Sequence, residues 1–400
     1  MERIANTPSS AQNLTASFSV AYHYPVIFDS DVFSKSNLTL SRLLKKPNGI
    51  RNGLIWIDSG VLNAFPELNR RIEAYFRHHR CALNLVAPAQ VVAGGEAAKQ
   101  QGHIEAMYRF MLEQHIDRHC VIIAIGGGAV LDAVGYACAT FHRGVQCLRM
   151  PSTVLAQNDA GVGVKNGFNA FNKKNLIGTF SPPMAVLSDR QFLDGLPARD
   201  KIAGLAEAVK VAVIRDGNFF NWIEQHADKL AGFDPHASQH AIAQCAKLHL
   251  GQITNAGDPF EHGNARPLDY GHWSAHKLES LTHYDIRHGE AVAIGMALDA
   301  LYAVKTRLLD NDEAQRLIGL LRTLGLPIWH PALNQTDDNG NRAILAGLEE
   351  FREHLGGELC ITLPTAMGRA REVHTIQLPL LLESIDALSR IAGTEAPVNG

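Results

Sequence analysis

The sequence predicts an α/β fold in two domains, an α/β domain over residues 1–200 and an all-helical domain over residues 201–400. Its 400 residues, 46% of them hydrophobic, exceed the length over which one core usually grows. From about residue 18 to 200, short apolar runs alternate with amphipathic stretches, which is typical of strands and crossover helices around a mostly parallel sheet. After Pro197, apolar residues recur at helical spacing instead.

Strands of the first domain are predicted by short apolar runs at 53–57, 82–86 and 121–125. The second domain is predicted to begin with the helix AGLAEAVKVAVI. Further helices are predicted in HAIAQCAKLHLGQI, GEAVAIGMALDALYAVKTRLL and EAQRLIGLLRTLG.

Composition argues against several classes of function. A formal net charge of -3 and a pI near 6.7 give no basic field for nucleic acid or an anionic membrane, so local cations must hold any anionic ligand. The start of the chain has no apolar secretory segment, and no apolar run reaches the roughly 18 residues of a membrane span. The six scattered cysteines form no CxxC pair. We therefore expect a soluble cytoplasmic protein without nucleic-acid or membrane partners.

Glycines at a strand-to-helix turn predict a nucleotide site. In CVIIAIGGGAVLDAVGYAC a buried strand ends at Gly126, Gly127 and Gly128 and a helix follows, so the backbone can approach a pyrophosphate at a helix N-terminus. Asp132 could fix this turn or a ribose hydroxyl. Asp58 ends the strand LIWID, where its carboxylate could accept hydrogen bonds from ribose hydroxyls. A glycine turn without a ligand is the alternative.

Two polar segments could hold a ligand beside this turn. GGEAAK places Glu96 and Lys99 one helical turn apart. The segment AQNDAGVGVKNGFNAFNKKNLIGTF has the backbone freedom and the donors to wrap a phosphorylated polyol. Its candidate residues are Asp159, Lys165, Lys174 and Asn175. The alternative for both segments is an ordinary solvated loop.

Histidines and a carboxylate within an apolar helix predict a metal site. His272 and His276 stand four residues apart and share a helix face, and His288 begins the next predicted helix. Glu207 lies among alanines and valines, where a cation would offset the cost of burying its charge. Two imidazoles and one carboxylate leave open coordination positions on a zinc-like ion, as in a catalytic metal site. Surface or satisfied core histidines are the alternative.

Together these segments resemble the 3-dehydroquinate synthase superfamily, the sugar phosphate cyclases, from about residue 50 to 370. The matching motifs are GGGAVLDAVGY, RG at Arg143, PSTVLAQNDAGVGVKNG, KKNLIGTF, GLAEAVK, GHWSAHKLE and HGEAVAIGM. The resemblance implies a dehydroquinate synthase-like fold, with a Rossmann-like nucleotide-binding domain followed by a helical metal-binding domain. It also implies NAD, zinc or cobalt, a small phosphorylated ketose as substrate, and a homodimer.

The resemblance further implies roles for individual residues. The metal ligands would be Glu207, His272 and His288. Residues that would contact the phosphate or the substrate hydroxyls are His276, Lys165, Lys174, Asn175, Lys210 and Arg143, with Arg143 reaching across a dimer interface. Residues that would bind NAD are Asp58, Glu96, Lys99, Gly127, Gly128, Asp132, Thr153, Asp159 and Lys174. Asp159 would also orient the substrate near the nicotinamide. Lys210 could instead be only an ion-pair partner of Glu207, three residues away.

Three positions depart from the dehydroquinate synthase pattern. In ARPLDYGHW, Asp269 replaces an asparagine and Ala265 replaces an arginine seven residues before the histidine, while His354 stands in place of a lysine near the C-terminus. A substrate carboxylate without a cation would cost several kcal/mol, so Asp269 and His354 are expected to line a pocket for a substrate that lacks one. The motifs resemble the 2-epi-5-epi-valiolone synthase branch, which cyclises sedoheptulose 7-phosphate.

We therefore expect a phosphate-eliminating lyase of cyclitol biosynthesis. It would convert sedoheptulose 7-phosphate to a C7 cyclitol, 2-epi-5-epi-valiolone or an isomer, through transient NAD-dependent oxidation and intramolecular aldol closure. The alternatives are a 3-dehydroquinate synthase with a substituted pocket, a glycerol dehydrogenase-like polyol dehydrogenase, and a catalytically silent relative that binds nucleotide or sugar phosphate.

Overall fold

A parallel sheet organises the N-terminal half of the computed structural model, which describes residues 14–171, 173–255, 260 and 267–393, without the side chains of Pro267 and His354. In chain order the strands are β1 (Val26–Asp29), β2 (Arg51–Asp58), β3 (Leu83–Leu85), β4 (Gln90–Val92), β5 (Val121–Gly126), β6 (Gln146–Pro151), β7 (Lys165–Ala170), β8 (Lys173–Phe180), β9 (Ala185–Asp189), β10 (Ile361–Ala366) and β11 (Arg369–Val373).

Among the described residues, seven strands pair in parallel in the order β1-β9-β6-β5-β2-β3, with β4 beside the carboxyl end of β2. Side chains of β2 alternate between two cores: Ile55 and Ile57 pack on one face and Leu54 and Trp56 on the other. Both faces are therefore covered, which explains the continuous apolar run. The strands predicted at 53–57, 82–86 and 121–125 are confirmed as β2, β3 and β5.

Helices cover the sheet and make up most of the C-terminal half. They are α1 (Thr39–Leu44), α2 (Ser59–Ala64), α3 (Leu68–His78), α4 (Gln101–Glu113), α5 (Gly128–Thr140), α6 (Gln191–Asp194), α7 (Ala198–Arg215), α8 (Gly217–Gln225), α9 (Ala227–Ala231), α10 (Pro235–Asn255), α11 (His272–Leu281), α12 (His288–Lys305), α13 (Asn311–Thr323), α14 (Ala346–His354) and α15 (Leu378–Gly393). Among the described helices, none combines the length and apolar character that a membrane crossing requires.

The C-terminal half packs around α7 and α12, which are buried along most of their lengths. It also contains the antiparallel hairpin β10–β11, which the sequence analysis does not predict. Pro364 within ITLPTA argues against a strand, and the hairpin closes at Gly368, whose φ of +87° suits glycine. The division at residues 200 and 201 stays a prediction; α7 begins at Ala198, directly after Pro197.

Candidate active site

The glycine turn lies where the sheet reverses its strand order. From β2 the chain continues to β3 at one edge, whereas from β5 it continues through α5 to β6 on the other side, and ligands of open α/β sheets bind at such a point. A Cβ built on Gly126 would lie 3.1 Å from Asp58 Cβ, and one built on Gly127 would lie 3.3 Å from Thr153 Cγ2. The structure therefore brings Asp58, Thr153 and the glycines together at one crevice.

Lys99 ties this crevice to the β7–β8 hairpin. Its ammonium is buried and lies 2.6 Å from Asp132 Oδ2 and 2.7 Å from Asn175 Oδ1. Burial raises the pKa of Asp132 above its ordinary value, although the charge of Lys99 acts to lower it. These three predicted site residues are thus neighbours, and Lys99 holds α5 and the hairpin together.

Lys174 bridges the two halves of the chain. Its ammonium lies 3.9 Å from Glu96 in the N-terminal half and 3.6 Å from Glu279 on α11, and 4.1 Å from the centre of the Tyr284 ring. Glu96 also accepts a hydrogen bond of 2.8 Å from Asn169 on β7. Lys174 therefore has a carboxylate from each half of the chain within 4 Å of its ammonium.

Three helices bring the predicted metal ligands into one region. Glu207 lies on α7, while α11 begins at His272 and α12 at His288. A Cβ built on Gly289 would lie 1.8 Å from the carbonyl oxygen of Ala203, so only glycine allows the start of α12 to contact α7 about one turn from Glu207. The approach of these two helices places His288 and Glu207 in the same charged cluster.

The histidines form a compact group with an additional carboxylate. The ring centre of His272 lies 5.4 Å from that of His276 and 5.3 Å from that of His288. Among the described residues, one set of ligand atoms lies within 4.8 Å of one another, and it belongs to His276, Glu279 and His288. That set differs from the predicted trio in two of its members. The assignment of Glu207, His272 and His288 as ligands stays a prediction.

Two of the imidazoles have a hydrogen-bond partner at Nδ1. Nδ1 of His272 lies 3.1 Å from the Tyr270 carbonyl oxygen, and Nδ1 of His288 lies 3.1 Å from Glu279 Oε2. A ring that donates through Nδ1 keeps the lone pair of Nε2 free for a metal. Burial, aided by nearby cations, lowers the pKa of His272 well below its ordinary value, so this ring is neutral as a ligand must be.

Glu207 is a buried carboxylate paired with Lys210. Burial raises its pKa to about 7 against the opposing charge of Lys210. Lys210 Nζ lies 2.7 Å from Glu207 Oε1, yet this buried oxygen has no hydrogen bond of good geometry from the described residues. Carboxylates and imidazoles are donors that a divalent cation binds, but the described ligand atoms within 4.8 Å of one another do not include those of Glu207.

Glu279 is a site residue that sequence analysis missed. Burial alone would raise its pKa, but the hydrogen bond to His288 and the charges of His288 and Lys174 lower it to about 2. The same interaction raises the pKa of His288, although burial alone would lower it. A signal for Glu279 exists in the sequence, because residues 272, 276 and 279 share one face of a helix.

Asp159 and Asp269 extend the charged cluster around Lys210. Asp159 Oδ1 lies 3.2 Å from His249 Nδ1, and although burial would raise the pKa of Asp159, His249, Lys210, Lys165 and His288 lower it. Burial by itself would lower the pKa of Lys210, but Glu207, Asp159 and, more weakly, Asp269 raise it. The predicted substrate residues Asp159, Lys165, Lys210 and Asp269 are therefore close to the predicted metal ligands.

One predicted residue, Arg143, is not brought into this cluster. Arg143 follows the C-terminal end of α5, about 20 Å from the glycine turn along the helix axis. Within one chain it cannot reach the cleft, so its predicted role requires a second subunit. His354 ends α14, and its side chain lies outside the described residues, as does Ala265.

Comparisons with known proteins found matches over much of the chain. The family model "3-dehydroquinate synthase N-terminal" matches residues 89–203, and "3-dehydroquinate synthase C-terminal" matches residues 204–343. The chain is 38% identical over 277 residues to the 3-dehydroquinate synthase of Halorhodospira halophila, covering 69% of this chain and 76% of the relative. It is 35% identical over 303 residues to the 2-epi-5-epi-valiolone synthase of Streptomyces glaucescens, covering 75% and 76%.

A solved structure is similar over nearly the whole chain. It is that of ValA, the 2-epi-5-epi-valiolone synthase from Streptomyces hygroscopicus subsp. jinggangensis 5008, with NAD+ and Zn2+ bound. The similarity has a TM-score of 0.83 at 28% sequence identity and covers 95% of this chain and 100% of that one.

Proposed function

This chain belongs to the family of 3-dehydroquinate synthases and related sugar phosphate cyclases, and from that premise we propose that it cyclises sedoheptulose 7-phosphate. The product is a C7 cyclitol, 2-epi-5-epi-valiolone or an isomer of it. The reaction proceeds by transient oxidation, elimination of phosphate, return of the hydride, and intramolecular aldol closure.

Asp269 is the observation that carries the choice of substrate. Its carboxylate lies near enough to Lys210 to contribute to the raised pKa of that lysine. The dehydroquinate synthase pattern has asparagine at this position. A second carboxylate, on the substrate, would be repelled by Asp269 and would compete with it for Lys210. A hydroxymethyl group in place of the acid avoids this repulsion, as in sedoheptulose 7-phosphate.

The cofactors are NAD and a divalent metal, zinc or cobalt. When bound, NAD supplies reversible hydride transfer at a secondary alcohol and the metal supplies acidification of the same hydroxyl. Glu207, His272 and His288 would hold the metal. The crevice residues that would hold NAD are Asp58, Glu96, Lys99, Gly127, Gly128, Asp132, Thr153, Asp159 and Lys174.

The remaining site residues bind and orient the sugar phosphate. Lys165 and Lys210 hold the phosphate by charge as it departs, and Asn175 and His276 contact phosphate or hydroxyl oxygens. Asp159 fixes the orientation of the polyol from the other side of Lys210. In a homodimer, which we also propose, Arg143 of the second subunit adds a further cation. The protein's contribution is fixed positioning in a site with little water.

The substrate proposal is tested by parallel assays of the purified protein with NAD+ and Zn2+. We expect phosphate release from sedoheptulose 7-phosphate, a cyclitol in the NMR spectrum, and no net NADH. Release from 3-deoxy-arabino-heptulosonate 7-phosphate alone would show a 3-dehydroquinate synthase. Net NADH with an alcohol would show a polyol dehydrogenase, and absence of both metal and turnover would show a silent relative.

An Asp269→Asn variant examines the reason given for this preference. Removal of the negative charge is expected to weaken discrimination against the carboxylate-bearing heptulosonate by about 10-fold in kcat/KM. An unchanged ratio of kcat/KM for the two sugars would contradict the role of Asp269. Asp312→Asn, in the first turn of α13, is the matched control.

A further inference from the structure

Arg149 is a buried cation outside the set of residues assigned above. It lies on β6, is 1% exposed, and is one of the largest fully buried side chains in the described part of the protein. No described carboxylate forms an ion pair with it. Burying a guanidinium in this way is costly unless its donors are used, so the contacts of those donors reveal its role.

Both terminal nitrogens of Arg149 donate to the segment that follows it, whereas its buried Nε has no hydrogen-bond partner among the described residues. Nη1 donates to the carbonyl oxygens of Gly161 and Gly163, at 3.3 and 2.7 Å, and Nη2 donates to the carbonyl oxygen of Lys165 at 3.2 Å. Nη2 also donates to Asn166 Oδ1 at 2.5 Å. Carbonyls of three alternate residues therefore point at one guanidinium, and the chain curls around it.

Neighbouring contacts fix the curled segment further. The side-chain nitrogen Nδ2 of Asn166 donates to the carbonyl oxygens of Val164 and Ser181, both at 3.2 Å. A Cβ built on Gly135 of α5 would lie 1.9 Å from Asn166 Oδ1, so the segment packs directly on the nucleotide-site helix. A lysine ammonium is a compact group and cannot span these acceptors as a planar fork does.

The two ends of the segment are substrate residues. Asp159 begins it and Lys165 ends it, and the charge of Lys165 helps to lower the pKa of Asp159. Asp159 also contacts His249, and the charges of Lys210 and His288 lower its pKa. The segment 159–165 is called here the substrate loop, and both of its end residues are predicted site residues.

We propose that Arg149 is a positioning residue for catalysis, which holds the substrate loop so that Asp159 and Lys165 meet the sugar phosphate. This inference rests on the proposed function, because that function assigns both residues to the substrate. A misplacement of about 1 Å in such a group lowers turnover by about 100-fold. Arg149 itself lies beneath the loop and contacts the loop backbone, so it acts through these residues.

The experiment compares Arg149→Lys with Arg322→Lys, a control whose guanidinium holds the Ile391 carbonyl at 2.6 Å in the helical half. In Arg149→Lys we expect the KM for sedoheptulose 7-phosphate to rise at least about 10-fold and kcat to fall by about 100-fold, while the Kd for NAD+ stays within about threefold. In Arg322→Lys these constants stay at wild-type values. If Arg149→Lys lowers only the unfolding temperature, the positioning role is wrong.

Hydrogen–deuterium exchange provides a readout that needs no substrate. Amides of residues 159–166 are expected to exchange faster in Arg149→Lys, while those of β5 and α5 exchange as in wild type. Uniformly faster exchange, or an unchanged loop, would overturn the inference. If Arg149→Lys does not fold, Asn166→Ala is expected to shift KM and kcat in the same direction by a smaller factor, and unchanged constants would equally overturn it.

Failure of the proposed function gives a different result. If the wild-type protein turns over only 3-deoxy-arabino-heptulosonate 7-phosphate, the substrate proposal is wrong. The comparison of Arg149→Lys with Arg322→Lys is then made with that sugar, and its outcome still decides the role of Arg149.

Discussion

At the scale of single residues, Glu279 determines how His288 is presented. The carboxylate accepts from Nδ1 of that ring and is itself held by Lys174. Partners of this kind fix the tautomer and orientation of a ligating histidine. The pairing joins residues nine positions apart that lie on two different helices, so helix periodicity in the sequence places Glu279 on the correct face but does not identify its partner.

Replacing Glu279 by glutamine should weaken metal binding. We expect the Kd for Zn2+ to rise by about 10- to 100-fold, because the neutral amide no longer favours the Nδ1–H tautomer of His288. Competition with a chromogenic chelator measures this affinity without turnover. Glu290→Gln is the control, since Glu290 caps α12 and pairs with Arg199. An equal change in both variants would indicate a general loss of structure around α12.

At the scale of elements, α11 and α12 are joined by a buried carboxylate. Asp299 of α12 accepts from the Trp273 indole nitrogen at 2.8 Å and from the Gly271 amide at 3.2 Å. Between these helices a Cβ built on Gly295 would lie 2.1 Å from the Gly271 oxygen. The close contact and the two hydrogen bonds set the start of α11 and hence the place of His272.

Asp299 should make stability depend on pH. Burial raises its pKa to about 7, against the opposing effect of its two hydrogen bonds. Between pH of about 4 and 7 the folded protein therefore binds a proton that the unfolded chain has lost. The free energy of unfolding is expected to fall by up to about 1.4 kcal/mol per pH unit through this window as pH rises.

Urea unfolding of wild type and Asp299→Asn at several pH values measures this contribution. The variant should be less stable at every pH, because the NH2 group of the new asparagine faces an N–H donor. The difference in stability between the two proteins should shrink as pH rises to about 7. Asp386→Asn, at a surface pair with Arg342, should give a curve parallel to that of wild type. A parallel curve for Asp299→Asn would contradict the raised pKa.

At the scale of the whole molecule, the position of Arg143 requires a dimer if it is to act on substrate. One chain carrying Arg143→Ala and one carrying Lys210→Ala should each be inactive alone. When the two are co-expressed, we expect about a quarter of wild-type activity, because half of the dimers are mixed and each mixed dimer has one intact site. If sedimentation shows that the mixture contains dimers and no activity is recovered, Arg143 lies outside the active site.

Local patterns in the sequence were sufficient for three strands of the sheet, β2, β3 and β5, and for the glycine turn, the helix faces and the family. Period, turn chemistry and motif order are properties of neighbouring residues. The hairpin β10–β11 was not predicted; its first strand contains Pro364, and proline is unfavourable within strands. Tertiary structure alone decided the contacts of Lys99, Lys174, Arg149 and Glu279. Each joins elements that meet only after folding, and the partner of a buried charge depends on which elements approach closely enough to exclude water.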